Sequence, residues 1–259
     1  MSVAHAQFVS VLRVEGERIA AMPADMLTAA VPSCPGWTLE HVVRHVGRVH
    51  SWATAVLQSE PSTPIGDIRP KSRMSHGPDC LTEYRTVLDG LLTEFAHLDP
   101  ATPRPAFVGS GTVGWWARRQ AHETTVHRID AADAVHAAGG PEPDPLDPAV
   151  AADGVDEWLS FALARIVGDP GAPGTVGVPD ELRGRTVHVH GTDTPDAEWS
   201  ITFTEDGVRV TGEHTKGDVA LRGPAADLLL TLWNRRPLES VRVFGDATIA
   251  RAMLDAVRV

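Results

Sequence analysis

The sequence is poor in cysteine, in basic charge and in long apolar runs, and each shortage argues against a class of protein. Two cysteines, Cys34 and Cys80, serve 259 residues. With no CxxC spacing and no framework of bridges they fit a reducing compartment better than a disulfide-stapled secreted module. Lys and Arg number 23 against 34 Asp and Glu, a formal net charge of −11. Scattered cations in an acidic chain lack the positive footprint that phosphate neutralisation needs, which speaks against nucleic acid as the main partner. No apolar run approaches the ~20 residues required to span a bilayer. The opening stretch, MSVAHAQFVSVLRVEGERIAA, sets Arg13, Glu15, Glu17 and Arg18 where a signal peptide needs an unbroken apolar segment. The expectation is a soluble, cytoplasmic protein with no membrane partner. What the chain does have is length, beyond the roughly 100–200 residues of one typical domain, and 12 histidines.

The first part reads as helices. Phe8, Val11, Leu12, Ile19 and Met22 recur at three- and four-residue steps, the period of one buried helical stripe, over Val3 to Met22. After the extended stretch Val31-Pro32-Ser33-Cys34-Pro35-Gly36-Trp37, Thr38 is placed to cap a second helix reaching about Leu57, with a core face of Val42, Val43, Val46, Val49, Ala53 and Val56. Residues 59–79 are rich in Pro and Gly and form a long connection. Leu81, Tyr84, Leu88, Leu91, Leu92, Phe95 and Leu98 mark a third helix, and a fourth spans about Thr112 to Ala138. Four helices joined by loops make a bundle the simplest architecture.

Four prolines in Gly139-Gly140-Pro141-Glu142-Pro143-Asp144-Pro145-Leu146-Asp147-Pro148 form a stiff linker. The expected division is a bundle over 1–138, a linker over 139–148, and a small α+β domain over 149–259. A helix from about Ala149 to Val167 opens the second domain. Beyond it the period changes to two in Thr186–His190, Trp199–Phe203 and Val208–Val210, with Glu205-Asp206-Gly207 as a hairpin signal. Asp218–Arg222 reads as a further strand, and Gly223-Pro224 starts a helix with Pro at its first position. A short segment, Val241–Phe244, and a final helix from Asp246 complete an α+β layer.

Chemistry concentrates in the fourth helix. Trp116, Gln120, Glu123, His127 and Asp130 return to one side of it. Ionisable residues on such a stripe mean either a solvated face or a buried site whose charges are compensated. Glu123 and His127, one turn apart, suit a single cation held by a carboxylate oxygen and an imidazole nitrogen, and equally suit a solvated face. On the second helix His41, His45 and His50 cannot all point one way. His45 borders the apolar stripe, either as a core-edge histidine bonded to a backbone carbonyl or as a third ligand; His41 sits near the solvated start. Asp130 is placed either to orient a ligand imidazole or at a fraying turn. Cys34 has no paired base in sequence and reads as a turn residue. His188 and His190 share one side of a strand, and a solvated strand face is the favoured reading over metal. For Arg118 and Arg119 the favoured reading is surface or interdomain salt bridges.

These residues carry a resemblance. Val31-Pro32-Ser33-Cys34-Pro35-Gly36-Trp37-Thr38, then His45-Val46-Gly47-Arg48-Val49-His50, then Trp116 through Ala131 are similar to the mycothiol-dependent maleylpyruvate isomerase family of actinobacteria, which belongs to the DinB-like metalloenzymes. Leu221-Arg222-Gly223-Pro224-Ala225-Ala226-Asp227-Leu228-Leu229-Leu230, with Trp233-Asn234-Arg235-Arg236, resembles the family's sterol-carrier-like second domain. The resemblance implies a DinB-like four-helix bundle holding a divalent metal, most commonly zinc, through His45, Glu123 and His127. It also implies mycothiol as thiol cosubstrate, and an active-site Arg in the second domain, for which Arg235 is preferred to Arg236. Arg119 is a further candidate for gripping a substrate carboxylate through a guanidinium fork. The implied reaction is thiolate attack on a small electrophile, either cis–trans isomerisation of a maleylpyruvate-like acid or S-conjugation, in a monomer or homodimer. The alternative is a non-catalytic binding protein that encloses an apolar ligand, its metal structural or absent.

Overall fold

The computed structural model describes residues 4–107, 111–167, 177–205 and 207–257. The chain divides into two compact units, one reaching to Asp144 and the other running from Pro145.

The first unit is built on α1 (His5–Ala20), α2 (Leu39–Leu57), α3 (Asp79–His97) and α4 (Val113–Ala137). Helix α1 packs on α3 and α4, and α2 packs on the same two. The apolar stripes fill the centre: Phe8, Leu12 and Ile19 from α1, Val42, Val43, Val46, Ala53 and Val56 from α2, and Tyr84, Leu88, Leu91, Leu92 and Phe95 from α3 are all buried. Val49 departs from expectation. It is half-exposed while its neighbour His50 is buried, because His50 bonds across to Thr124 of α4. A two-residue strand pair, β1 (Pro103–Arg104) and β2 (Gly111–Thr112), precedes α4 and has no counterpart in the sequence pattern. Thr112 caps α4 by accepting the Trp115 N–H.

Helix α4 is buried around most of its circumference. Trp116, Arg119, Gln120, His122, Thr124, His127, Arg128 and Asp130 are all among the buried residues. Buried charge of this kind demands partners. Arg128 finds one in Glu15 of α1, which also receives Arg18 at 2.8 Å, and its second arm donates to the Asp144 carbonyl at 2.7 Å.

The second unit comprises α5 (Pro148–Val167), β3 (Thr186–Gly191), β4 (Glu198–Phe203), β5 (Val208–Thr211), β6 (Val219–Gly223), α6 (Ala225–Leu232), β7 (Arg242–Gly245) and α7 (Ala247–Ala256). The strands form one sheet in the order β5-β4-β3-β6-β7, parallel only between β3 and β6. Val187, Val189, Ile201, Phe203, Val219 and Leu221 are buried on it, and α5 packs with α6. Pro224 stands at the N-cap of α6 with ψ 145°, one place earlier than expected, because that extended ψ lies outside the helix. Of the hairpin residues, Asp206 lies outside the described residues. Among those residues no helix is long and apolar enough to cross a membrane.

Candidate metal centre

The stretch before α2 bends back on itself: Ala30 bridges Thr38, the Val31 N–H donates to the Trp37 carbonyl at 2.9 Å, and the Trp37 N–H donates to the Cys34 carbonyl at 2.9 Å. Gly36 adopts φ +83°, a left-handed conformation that disfavours side chains, so a glycine closes this turn. Thr38 then starts α2, its N–H donating to His41 Nδ1 at 3.1 Å. His41 is thus exposed and engaged in a reciprocal cap.

One turn further along, His45 meets α4. Its Nε2 lies 3.3 Å from Glu123 Oε1, and His127 Nε2 lies 3.4 Å from the same oxygen. The two imidazole rings are 4.8 Å apart, centre to centre. One donor atom from each of His45, Glu123 and His127 therefore falls within 4.8 Å of the others. That is a two-histidine, one-carboxylate set of the kind that holds a divalent transition metal while leaving positions open.

The surroundings orient each ligand. His127 Nδ1 lies 2.9 Å from Asp130 Oδ2, and Asp130, fully buried, accepts the Ser33 hydroxyl at 2.8 Å and has the Cys34 thiol 3.9 Å away. With Asp130 as acceptor on Nδ1, the ring is held with Nε2 turned toward Glu123. Trp37 stacks on His127 at 6.1 Å with an interplanar angle of 7°, and its ring lies 5.1 Å from that of His45. Arg119, one turn before Glu123, pairs with Glu123 Oε2.

Electrostatics follow from these contacts. Burial works to raise the Glu123 carboxyl, but Arg119 and the hydrogen bonds from His127 and His45 overcome it and hold the group well below the usual carboxylate range. Burial works to lower His127, yet the hydrogen bonds to Asp130 and Glu123 outweigh it and push the imidazole up to about 9. His50, deeper in the bundle, goes the other way: burial drives it down to about 3, and it stays neutral against Thr124 at 2.9 Å.

The structure thus brings together His45, Glu123 and His127, with Arg119 on Glu123. Arg119 is buried, not at the surface, and pairs with Glu123 of its own helix. Asp130, left between two roles by its position in sequence, is buried beneath His127. Arg235 and Arg236 follow α6 in the other unit, where their guanidinium groups donate to the carbonyls of Trp233, at 2.8 Å, and Arg235, at 3.0 Å. Sequence reasoning missed Trp37 and Ser33 as parts of the site. Their signal was the turn-rich segment itself, which lies 97 residues from Asp130 in the case of Ser33.

A helical bundle with a His–Glu–His donor set, followed by a small α+β unit, defines the class. Two family models cover most of this chain: the mycothiol maleylpyruvate isomerase N-terminal domain matches residues 13–132, and the C-terminal domain of the same proteins matches residues 149–252. The chain belongs to the mycothiol-dependent maleylpyruvate isomerase family. Among solved structures, a point mutant of the mycothiol-dependent maleylpyruvate isomerase is similar with a TM-score of 0.60 and 12% identity, covering 93% of each chain. The unmutated enzyme gives 0.58 and 11% identity over the same shares. At such identity the likeness establishes the shared fold. No curated protein matches the sequence.

Proposed function

We propose that this protein is a metal-dependent enzyme that activates mycothiol as a thiolate toward a small electrophile. The observation that carries the reading is the convergence of His45, Glu123 and His127, with one ligand atom of each within 4.8 Å of the others. Zinc held by these three would lower the pKa of a coordinated thiol, making it a nucleophile at neutral pH.

The protein's own residues do the rest. Asp130 fixes the His127 ring so that Nε2 faces the site. Arg119 keeps Glu123 ionised and in place, and remains the second guanidinium proposed to grip a substrate carboxylate. Trp37 covers His45 and His127 with an apolar face and limits access of water. Arg235 is the group proposed to hold a substrate carboxylate through its planar guanidinium.

The proposed reaction is isomerisation. A thiolate adds to the conjugated double bond of a maleylpyruvate-like acid, and the displaced electron pair rests on the conjugated carbonyl as an enolate. The bond between the two carbons becomes single and rotates, and collapse of the enolate expels the thiolate and leaves the trans alkene. S-conjugation shares the first half and retains the adduct. Protein prepared without chelator is expected to carry about one metal in the bundle, lost in His45→Ala and Glu123→Ala. The cobalt-substituted protein is expected to change its visible spectrum on adding mycothiol. Turnover of maleylpyruvate with mycothiol, lost in the same variants, completes the test. A metal content unaffected by those two substitutions would overturn the assignment, and a cobalt spectrum indifferent to thiol would overturn thiol activation alone.

A further inference from the structure

A second group of metal-ligating side chains lies on the sheet of the other unit. On β3, Val187 and Val189 turn to the core, and His188 and His190 take the opposite face. Register sets Ser200 opposite His188 and Glu198 opposite His190. That face was expected to be solvated, but the segment following β5 lies over it. Thr215 bonds to Ser200, and Asp218 is tied to Thr186 by the backbone bond Asp218 N–H to Thr186 O at 3.0 Å and by its carboxylate, which accepts the Thr186 N–H at 2.8 Å. Gly217 permits the approach: a Cβ there would stand 2.8 Å from the Val219 carbonyl and 3.0 Å from the His188 nitrogen. Beneath this cover the His188 side chain is only 9% exposed.

The covering segment delivers His214. His188 Nε2 and His190 Nδ1 each lie 2.9 Å from Glu198 Oε1, and His214 Nδ1 closes on the same oxygen. All four donor atoms fall within 4.8 Å of one another. A hydrogen-bonded cluster accounts poorly for this arrangement. One carboxylate oxygen has two lone pairs, so it cannot accept three ring N–H groups at once. His188 Nε2 shows the consequence, being buried at short range from Glu198 without hydrogen-bond geometry to any partner. A cation held between the three nitrogens and Glu198 Oε1 would take one lone pair from each of the four atoms.

We propose that His188, His190, Glu198 and His214 form a second metal site, for a divalent transition ion of the zinc type, which clamps the segment 212–218 onto β3 and β4. Three imidazole nitrogens favour such an ion over calcium or magnesium, which prefer all-oxygen shells. Four protein donors make a closed shell, the mark of a structural site rather than a catalytic one.

The test uses the full-length protein and zinc alone, with stoichiometry measured by competition against a chromophoric chelator. The wild type is expected to bind two equivalents. His190→Ala combined with His214→Ala removes one equivalent and keeps the other, whereas His127→Ala removes the other alone. Both residues of the double variant are at least partly exposed, and its circular dichroism with chelator present is expected to match wild type. Glu198→Gln, which retains all three histidines, also loses the second equivalent. Zinc slows amide exchange across 212–218 in the wild type and leaves the double variant unchanged. Undiminished zinc binding by the double variant, or a single wild-type equivalent that disappears in His127→Ala, overturns the site. A single equivalent that disappears instead in the double variant upholds it and overturns the bundle centre.

Discussion

At the scale of single residues, the proposed bundle site is held by one imidazole bonded to two carboxylates. Asp130 receives His127 Nδ1, and Glu123 receives Nε2. Removing the charge at Asp130 loosens the ring and lowers its basicity; Asp130→Asn is expected to weaken metal binding by about 10–100-fold, read by chelator competition, with secondary structure intact. The raised pKa of His127 has a sign that can be checked. In the metal-free protein its folded value of about 9 exceeds the ordinary 6.5, so its contribution to stability is full below about pH 6.5 and is lost as pH rises toward 9. His50 contributes in the opposite sense. Lowered to about 3, it favours the folded state above about pH 6.5, and that advantage is lost as pH falls toward 3. These two groups place a maximum in metal-free stability near neutral or slightly acid pH, to be measured as thermal midpoint against pH with chelator present. Metal binding must also displace the His127 proton, so zinc affinity is expected to rise up to about pH 9 and to release protons measurable by buffer-dependent calorimetry.

At the scale of elements, α1 is pinned to α4 by more than its apolar stripe. Arg128, 2% exposed, ion-pairs with Glu15 on the far side of the interface. Glu15→Gln leaves a buried guanidinium short of its counter-charge, an arrangement that costs about 3–5 kcal/mol. Denaturant unfolding is expected to show a loss of that order, largely recovered when Arg128 is replaced by Met in the same chain. The helices themselves were legible because their apolar residues recur at threes and fours, as the buried Val42, Val46, Ala53 and Val56 of α2 attest. Helix α4 was legible as a helix but its orientation was not. Packed between α1 and α2, it buries polar residues on several sides, and a periodicity argument presumes one apolar stripe. The strand face of His188 was misread for a related reason. Alternation says which residues share a face, and what covers that face is decided by a segment whose own sequence is irregular.

At the scale of the whole molecule, ligand binding and stability are linked by mass action. Zinc at about a hundredfold above its dissociation constant adds about 2.7 kcal/mol to the folded state. The wild type is therefore expected to gain thermal midpoint on adding zinc, and the gain is expected to shrink when His45 and His127 are both replaced. By itself the sequence determined the two-part plan, the Pro-rich segment between the parts, the four long helices of the first part, most strands of the second, and the family's donor types at positions 45, 123 and 127, because local periodicity, capping and turn chemistry act over a few residues. Only the tertiary structure decided that His45 crosses 78 residues to reach Glu123, that Ser33 and Asp130 brace His127, that β6 lies beside β3, and that His214 folds over β3 and β4. Those contacts depend on the packing of whole elements, which fixes distances between residues far apart in sequence and leaves no mark in the pattern of either one.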